Sequence, residues 1–167
     1  MPRRTALIVP APEAEQAVGE LRLRFDPNAA LGVPAHITVL YPFMPPDEID
    51  DDAVAALVGR FPAFDYRLDR VVRWEDGGTW LHVEPARPFS DLTAAVEQRW
   101  PEYPPYEGAF DEPIPHLTLS VHPIDLQIDF QLPIACRARE VLLIEERQAD
   151  GWWNTRLRVP LADHGVA

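Results

Sequence analysis

The pattern of apolar and polar positions predicts a regular succession of strands and helices in the first half of the chain. Thr5 to Val9 is an apolar run typical of a strand, and Glu13 to Phe25 repeats apolar residues at helical spacing, with Pro12 suited to the first turn. His36 to Tyr41 predicts a second strand. Asp47 is a favourable N-cap for a helix that runs to about Arg60.

The second half continues in the same way and ends in strands. Phe64 to Trp74 and Thr79 to Glu84 predict a hairpin that turns at Asp76-Gly77-Gly78. Phe89 to Trp100 has helical periodicity, and either Ser90 or Asp91 is suited to cap it. The remaining segments are a proline-rich loop from Pro101 to Pro115, a motif strand near His116, and two strands, Ile134 to Glu146 and Trp152 to Leu161, joined by Ala149-Asp150-Gly151.

These elements predict an α+β fold in which three helices flank antiparallel sheets. With 167 residues and 47% hydrophobic composition, the chain is expected to form a single domain, residues 1–167, around a sizeable core. No apolar run approaches the roughly 18 residues that span a bilayer, and the N-terminal run ends too early for a signal peptide. The single Cys136 is expected to be a buried strand residue and is compatible with a reducing cytoplasm.

Charge narrows the class of partner. The formal net charge is −12, the basic residues are all arginines, and they are scattered along the chain. Proteins that bind long polyanions normally present a basic face, so a long duplex is not the expected ligand. Arginine still supplies bidentate contacts to a single phosphate, which leaves a small nucleotide or an RNA end as the favoured partner.

Two short segments nearly repeat each other and carry the candidate chemistry. His36 and Thr38 recur as His116 and Thr118, and the two histidines lie 80 positions apart. In a strand, residues i and i+2 share a face and lie about 7 Å apart, so each copy presents an imidazole beside a hydroxyl. If the fold brings the copies together, two histidines and two threonines surround one cleft. That arrangement is suited to acid–base chemistry on a phosphate ester.

Other sites that use histidine find little support in the sequence. A zinc site normally needs three or four ligands at compact spacings, and none is present. Neither a nucleophile-elbow sequence nor a glycine-rich phosphate loop occurs. His82, His122 and His164 are expected to be structural. We therefore expect neither a metal nor a cofactor.

A second group of residues is expected to touch a substrate or to pack. Ser120 shares strand parity with His116 and Thr118, so either substrate contact or filling of the strand end suits it. Aromatic faces bind nucleobases without sequence readout, which makes several tyrosines and phenylalanines candidates for stacking. These candidates are Tyr41, Phe43, Tyr103, Tyr106 and Phe110. The five tryptophans are expected to be packing residues.

The two segments resemble the paired signature tetrads of the 2H phosphoesterase superfamily, which contains 2′-5′ RNA ligase-like proteins and cyclic phosphodiesterases. The tetrads here are His36-Ile37-Thr38-Val39 and His116-Leu117-Thr118-Leu119. The resemblance extends over most of the chain and includes the run Gly32 to Phe43 and the proline-rich approach to His116. The segment His122 to Leu132 departs from it, because many relatives carry a helix there.

The resemblance implies a bilobal fold with both tetrads facing a central cleft, and metal-independent chemistry on ribose 2′,3′-cyclic phosphates or 2′-5′ linkages. His36 and His116 are then the acid and base, in an order that the sequence leaves open, and Thr38 and Thr118 hold the phosphoryl oxygens. The expected protein is a cytoplasmic monomer. Two alternatives remain: a nucleotide- or RNA-end-binding protein without turnover, and a 2′-5′ RNA ligase that runs the reverse reaction.

Overall fold

A computed structural model describes residues 3–75, 77–110, 112–124 and 128–163 and confirms the α+β fold. The helices are α1 (Pro12–Phe25), α2 (Pro27–Ala30), α3 (Asp51–Val58) and α4 (Arg87–Arg99). The strands are β1 (Thr5–Pro10), β2 (His36–Leu40), β3 (Phe64–Arg73), β4 (Thr79–Glu84), β5 (His116–Ser120), β6 (Ile134–Ala138), β7 (Glu140–Glu146) and β8 (Trp153–Pro160). Short 3₁₀ turns cover Pro46–Glu48 and Pro105–Gly108.

The described strands form two antiparallel four-stranded sheets with equivalent layouts. One sheet has the order β2-β1-β7-β8 and the other the order β5-β4-β3-β6. Each sheet therefore places one motif strand at its edge, and the two edge strands β2 and β5 contact each other. This equivalence agrees with the expected bilobal fold.

One continuous core lies on the faces of the two sheets that turn away from the motif side chains. It includes Ile37 and Leu117, both fully buried, which alternate with the motif residues along their strands. Helix α1 packs against β5 and β6, and α4 packs against β2. Each motif strand is therefore supported from behind by a helix.

Two predicted helix starts were wrong. The helix predicted from Asp47 is interrupted, because Ile49 is extended and Asp50 caps α3 by accepting a 3.2 Å hydrogen bond from the Ala53 N–H. Helix α4 begins at Arg87, before Ser90 and Asp91, and Ala86 is its N-cap. A proline in the first turn of α4 needs no hydrogen-bond partner for its nitrogen, so the helix starts without a side-chain cap.

The predicted single strand from Ile134 to Glu146 was also wrong. It divides at Arg139 into β6 and β7, which belong to different sheets. Continuous apolar sequence predicts extended backbone but does not specify which sheet pairs with it. The two hairpins are as expected, although Asp76 lies outside the described residues.

The Pro101 to Pro115 segment is a loop apart from its 3₁₀ turn, and the described part of His122 to Leu132 contains no helix. No helix in the described part of the chain has the length and apolarity needed to cross a membrane.

Candidate active site

The two motif strands bring their polar side chains to a single cavity. His36 and Thr38 of β2 and His116 and Thr118 of β5 all line a cavity of about 250 Å³. The intervening residues point the other way, into the core. Strand alternation and the contact between the two edge strands together create the site. Also lining it are Arg4, Ala6, Ile8, Asp26, Asn28, Val33, Tyr41, Tyr106, Val121, Ile144 and Trp153.

Each imidazole is held in the same way by the backbone two residues earlier. His36 Nδ1 lies 2.7 Å from the Pro34 carbonyl oxygen, and His116 Nδ1 lies 2.6 Å from the Ile114 carbonyl oxygen. A carbonyl oxygen only accepts hydrogen bonds, so Nδ1 carries the proton in both rings. Nε2 is therefore the nitrogen left to accept or donate a proton in the cavity.

The electrostatic surroundings of the two rings differ. Burial and, to a smaller extent, the nearby positive charge of Arg22 together lower the pKa of His36 to about 4, against the opposing hydrogen bond to the Pro34 carbonyl. Burial also lowers the pKa of His116, opposed by the hydrogen bond to the Ile114 carbonyl. His116 packs edge-on against Trp74 and Trp80, with ring centroids 4.8 and 5.6 Å away.

A buried ion pair stands behind the His36 side of the cavity. Arg22 and Asp26 are each 2% exposed and are joined by a 3.1 Å contact. Arg22 also donates to the Val33 carbonyl, and Asp26 accepts from the Asn28 N–H. These bonds satisfy both charges and fix the loop that precedes His36.

Tyr106 reaches the cavity from a strained turn. It and Glu107 have φ angles of 52° and 56°, which are uncommon for residues other than glycine. The Tyr106 N–H donates a 2.6 Å hydrogen bond to the Tyr41 carbonyl, and the Tyr106 hydroxyl shares a hydrogen bond with Thr38. Burial raises the pKa of that hydroxyl, so it stays protonated and able to donate. Strained backbone of this kind often occurs at functional sites.

Arg4 is a cavity residue that the sequence analysis missed. Its guanidinium donates to the Tyr41 hydroxyl at 2.7 Å and to Glu146, and it lies over the rings of Tyr41 and Trp153. The available signal was an arginine directly before β1, the strand that pairs with β2. Its local sequence gives no indication of that pairing.

Phe43 and Ser120 do not reach the cavity, which corrects their prediction as substrate contacts. Phe43 is 5% exposed and packs edge-on against Trp100 and Tyr103 in the core. Ser120 is 1% exposed, and its hydroxyl donates to the His122 carbonyl at 2.8 Å. It closes the end of β5, the second of the two roles its parity allowed.

Two further aromatic candidates for base stacking, Tyr103 and Phe110, do not line the cavity. Tyr103 hydrogen-bonds Glu48, and Phe110 is exposed beside Tyr106. Trp153 is packed in the smaller hydrophobic core, as expected, and also lines the cavity, whereas Trp74 is 40% exposed beside His116.

Neither His82 nor His122 lines the cavity, and a structural role for the two stays a prediction. His82 Nδ1 pairs with Asp69 at 2.7 Å, His122 is exposed, and His164 lies outside the described residues. Cys136 is buried in β6. Across residues 3–163, as far as the structure describes them, no group of three or more metal-ligating side chains occurs.

Comparisons with known proteins agree with this architecture. The crystal structure of Escherichia coli LigT complexed with NADP⁺ superimposes with a TM-score of 0.66 at 21% identity, covering 97% of this chain and 99% of that one. A phosphoesterase crystal structure gives 0.68 at 20% identity, covering 98% and 100%. TT0787 of Thermus thermophilus gives 0.66 at 18% identity, covering 97% and 100%. Curated protein sequences yield no match.

The structural likeness at this level of identity establishes the fold. The family follows from the sequence, because the family model described as the 2′-5′ RNA ligase superfamily matches residues 10–148, which include both motif strands. The chain is therefore a member of the 2′-5′ RNA ligase superfamily.

Proposed function

We propose that the protein is a metal-independent phosphoesterase that hydrolyses ribose 2′,3′-cyclic phosphates or 2′-5′ phosphodiesters with His36 and His116 as its base and acid. One observation carries the proposal. Two imidazoles with their Nδ1 protons tied to backbone carbonyls, each accompanied by a threonine, line a single cavity. General acid–base chemistry on a phosphate needs two such groups on opposite sides of the phosphorus.

The difference in surroundings supports His36 as the base and His116 as the acid. His36, with its pKa lowered to about 4, is neutral at neutral pH and takes the proton from water through Nε2. The water oxygen bonds to phosphorus as the bond between phosphorus and the leaving ribose oxygen breaks. Protonated His116 donates its Nε2 proton to that ribose oxygen. The cycle leaves His36 protonated and His116 neutral, and proton exchange with solvent restores both.

The hydroxyl groups of the cavity serve the phosphoryl oxygens. Thr38 and Thr118 donate hydrogen bonds to the non-bridging oxygens, where negative charge is concentrated in the transition state. Tyr106 hydrogen-bonds Thr38, which orients the threonine hydroxyl before substrate arrives. Donors that are already in place need no reorganisation during the reaction.

The proposed substrate is a small nucleotide or an RNA end. E. coli LigT is known in complexes with 3′-AMP and with NADP⁺, which supports small nucleotides as ligands for a chain of the same fold. The net charge of −12 is unfavourable for a long duplex. We further propose a monomeric, cytoplasmic protein; its one cysteine, buried in β6, is compatible with a reducing compartment.

The test is turnover of the four 2′,3′-cyclic nucleotides and a 2′-5′ dinucleotide, each with and without EDTA. The proposal expects hydrolysis that EDTA leaves unchanged. Loss of activity in EDTA contradicts metal independence. Binding without turnover at every pH supports a nucleotide-binding protein instead, and joining of supplied RNA halves to a 2′-5′ linkage identifies a ligase.

A further inference from the structure

The β3–β4 hairpin carries an exposed aromatic side chain beside a proposed catalytic histidine. Trp74 is 40% exposed, and its ring centroid lies 4.8 Å from that of His116 and 5.2 Å from that of Trp80. Trp74 does not line the cavity itself but contacts His116, which does. A large aromatic face open to solvent at this point is available to a ligand that extends beyond the cavity.

Backbone hydrogen bonds of the hairpin and a contact with Trp80 position this side chain. The Trp74 N–H donates a 2.8 Å hydrogen bond to the Gly78 carbonyl, and the Trp74 carbonyl accepts one of 2.9 Å from the Gly77 N–H. Gly77 has a φ of +96°, and a Cβ there would lie 2.3 Å from the Pro123 ring. Trp80, 4% exposed, supports Trp74 from within the sheet. The turn geometry and the contact with Trp80 therefore place the exposed ring beside His116.

The same face of the sheet continues away from the cavity with basic residues. His82 is the cross-strand partner of His116, and Arg70 is the partner of His82, so the three side chains share a face across β5, β4 and β3. This row spans two interstrand spacings, roughly 10 Å. A register shift between Leu68 and Arg70 lets Asp69 reach His82, while Arg70 remains exposed.

We propose that Trp74, His82 and Arg70, here called the hairpin platform, bind the nucleotide that precedes the reacting ribose. The substrate class is then a single-stranded RNA end that carries the reacting phosphate, in preference to a mononucleotide. Trp74 stacks on the preceding base, and Arg70 contacts its phosphate. Continuity with the cavity through His116 supports this occupant, and the inference rests on the function proposed above.

The experiment compares two substrates: a trinucleotide ending in a 2′,3′-cyclic phosphate, and 2′,3′-cyclic AMP. The wild type is expected to prefer the trinucleotide in kcat/KM, and Trp74→Ala to reduce that preference about 5- to 150-fold, the usual worth of one base–aromatic stack. The ratio cancels any effect of Trp74 on His116, because both substrates need the same histidine. Arg70→Gln is expected to reduce the preference less and to weaken its dependence on salt.

The matched control is Trp152→Ala. Trp152 is 41% exposed and packs on Gly32, away from the hairpin platform, so its removal is expected to leave the ratio unchanged. Trp74→Tyr keeps a stacking ring and is expected to retain most of the preference. An unchanged ratio in Trp74→Ala, or an equal loss in both tryptophan variants, overturns the proposal.

Binding separates this inference from the proposed function. If the wild type turns over nothing, calorimetry with a 3′-phosphorylated trinucleotide and with 3′-AMP tests the hairpin platform directly. Tighter binding of the trinucleotide that Trp74→Ala removes and Trp152→Ala retains supports the hairpin platform even when hydrolysis has failed. Equal affinity for the two probes in the wild type overturns it.

Discussion

The two motif strands have nearly the same sequence and the same place in their sheets, yet they build different environments around their histidines. Both imidazoles donate from Nδ1 to the carbonyl two residues earlier. Behind His36, however, stands the buried Arg22–Asp26 pair, whereas His116 packs against Trp74 and Trp80. The local motif therefore fixes the orientation of each ring, and the surrounding lobe sets its proton affinity.

In the proposed mechanism, this difference in surroundings allows one motif to supply both a base and an acid. A cationic neighbour disfavours protonation of His36, and no such neighbour contributes to the lowered pKa of His116. Pairs of titratable groups whose pKa values are separated by their surroundings are typical of acid–base sites. The following variants test this difference in proton affinity between the two histidines and the catalytic roles proposed from it.

The largest effect is expected from the histidines themselves. His36→Asn and His116→Asn should each lower kcat/KM by about 10²–10⁴-fold, the usual contribution of a positioned proton-transfer group. His122→Asn is the matched control, because His122 is exposed and lies just beyond the same strand. Steady-state hydrolysis of 2′,3′-cyclic AMP measures all three. Full activity in either motif variant contradicts the assignment.

The pH profile distinguishes the roles of the two rings. His36 must be neutral, so activity rises with pH through its pKa of about 4; His116 must be protonated, so activity falls as pH passes its pKa, which lies below the ordinary value of about 6.5. The profile of kcat/KM is therefore expected to be bell-shaped on the acid side of neutrality. The residual activity of His36→Asn should no longer rise with pH on the acid side of the profile. The residual activity of His116→Asn should no longer fall as the pH increases. The opposite pattern exchanges base and acid.

The next largest loss of activity is expected from the two threonines. Thr38→Val and Thr118→Val should each lower kcat by up to about 10²–10³-fold, as removal of a preorganised donor to a developing anion does. Serine at either position keeps the hydroxyl and is expected to restore most of the rate. If serine restores the rate at neither position, the threonines contribute to kcat through their shape and not through hydrogen bonding.

The Arg22–Asp26 pair tests the origin of the asymmetry. Arg22→Met leaves Asp26 buried without its partner and should destabilise the fold by about 3–5 kcal/mol, measured by urea unfolding. Arg22→Met combined with Asp26→Asn removes both charges and is expected to recover part of that stability. Because the positive charge of Arg22 lowers the pKa of His36, the rising limb of the double variant should move to higher pH. A rising limb that does not move assigns the shift to burial alone.

The smallest effect is expected at Tyr106. Tyr106→Phe removes the hydrogen bond to Thr38 and keeps the ring, so kcat should fall by about 10-fold or less, with KM nearly unchanged. Glu107→Gly is the control for the strained turn, since it relaxes a positive φ without touching the cavity lining. Equal losses in both variants would show that turn geometry, and not the hydroxyl, matters.

Much of the site was predictable because it depends on strand alternation. Placing His36 and Thr38 on one face requires only period-2 geometry, and the structure puts both in the cavity. Phe43 and Ser120 lie outside the cavity for the complementary reason: an aromatic ring or a hydroxyl near a motif indicates what chemistry is available but not which residues surround it. The sequence also did not predict that Ile134 to Glu146 divides between two sheets, because strand pairing depends on segments that are distant along the chain.

The sequence by itself determined most of the helices and strands, the faces on which the imidazoles and hydroxyls lie, and the family. Only the tertiary structure decided that Arg4 and Trp153 join the cavity, that Arg22 lies close to His36, and that Trp74 stands beside His116. The physical reason is the distance along the chain over which each property is set. Side-chain direction follows from local backbone geometry, whereas proton affinity and ligand contact depend on charges and surfaces that distant segments bring together.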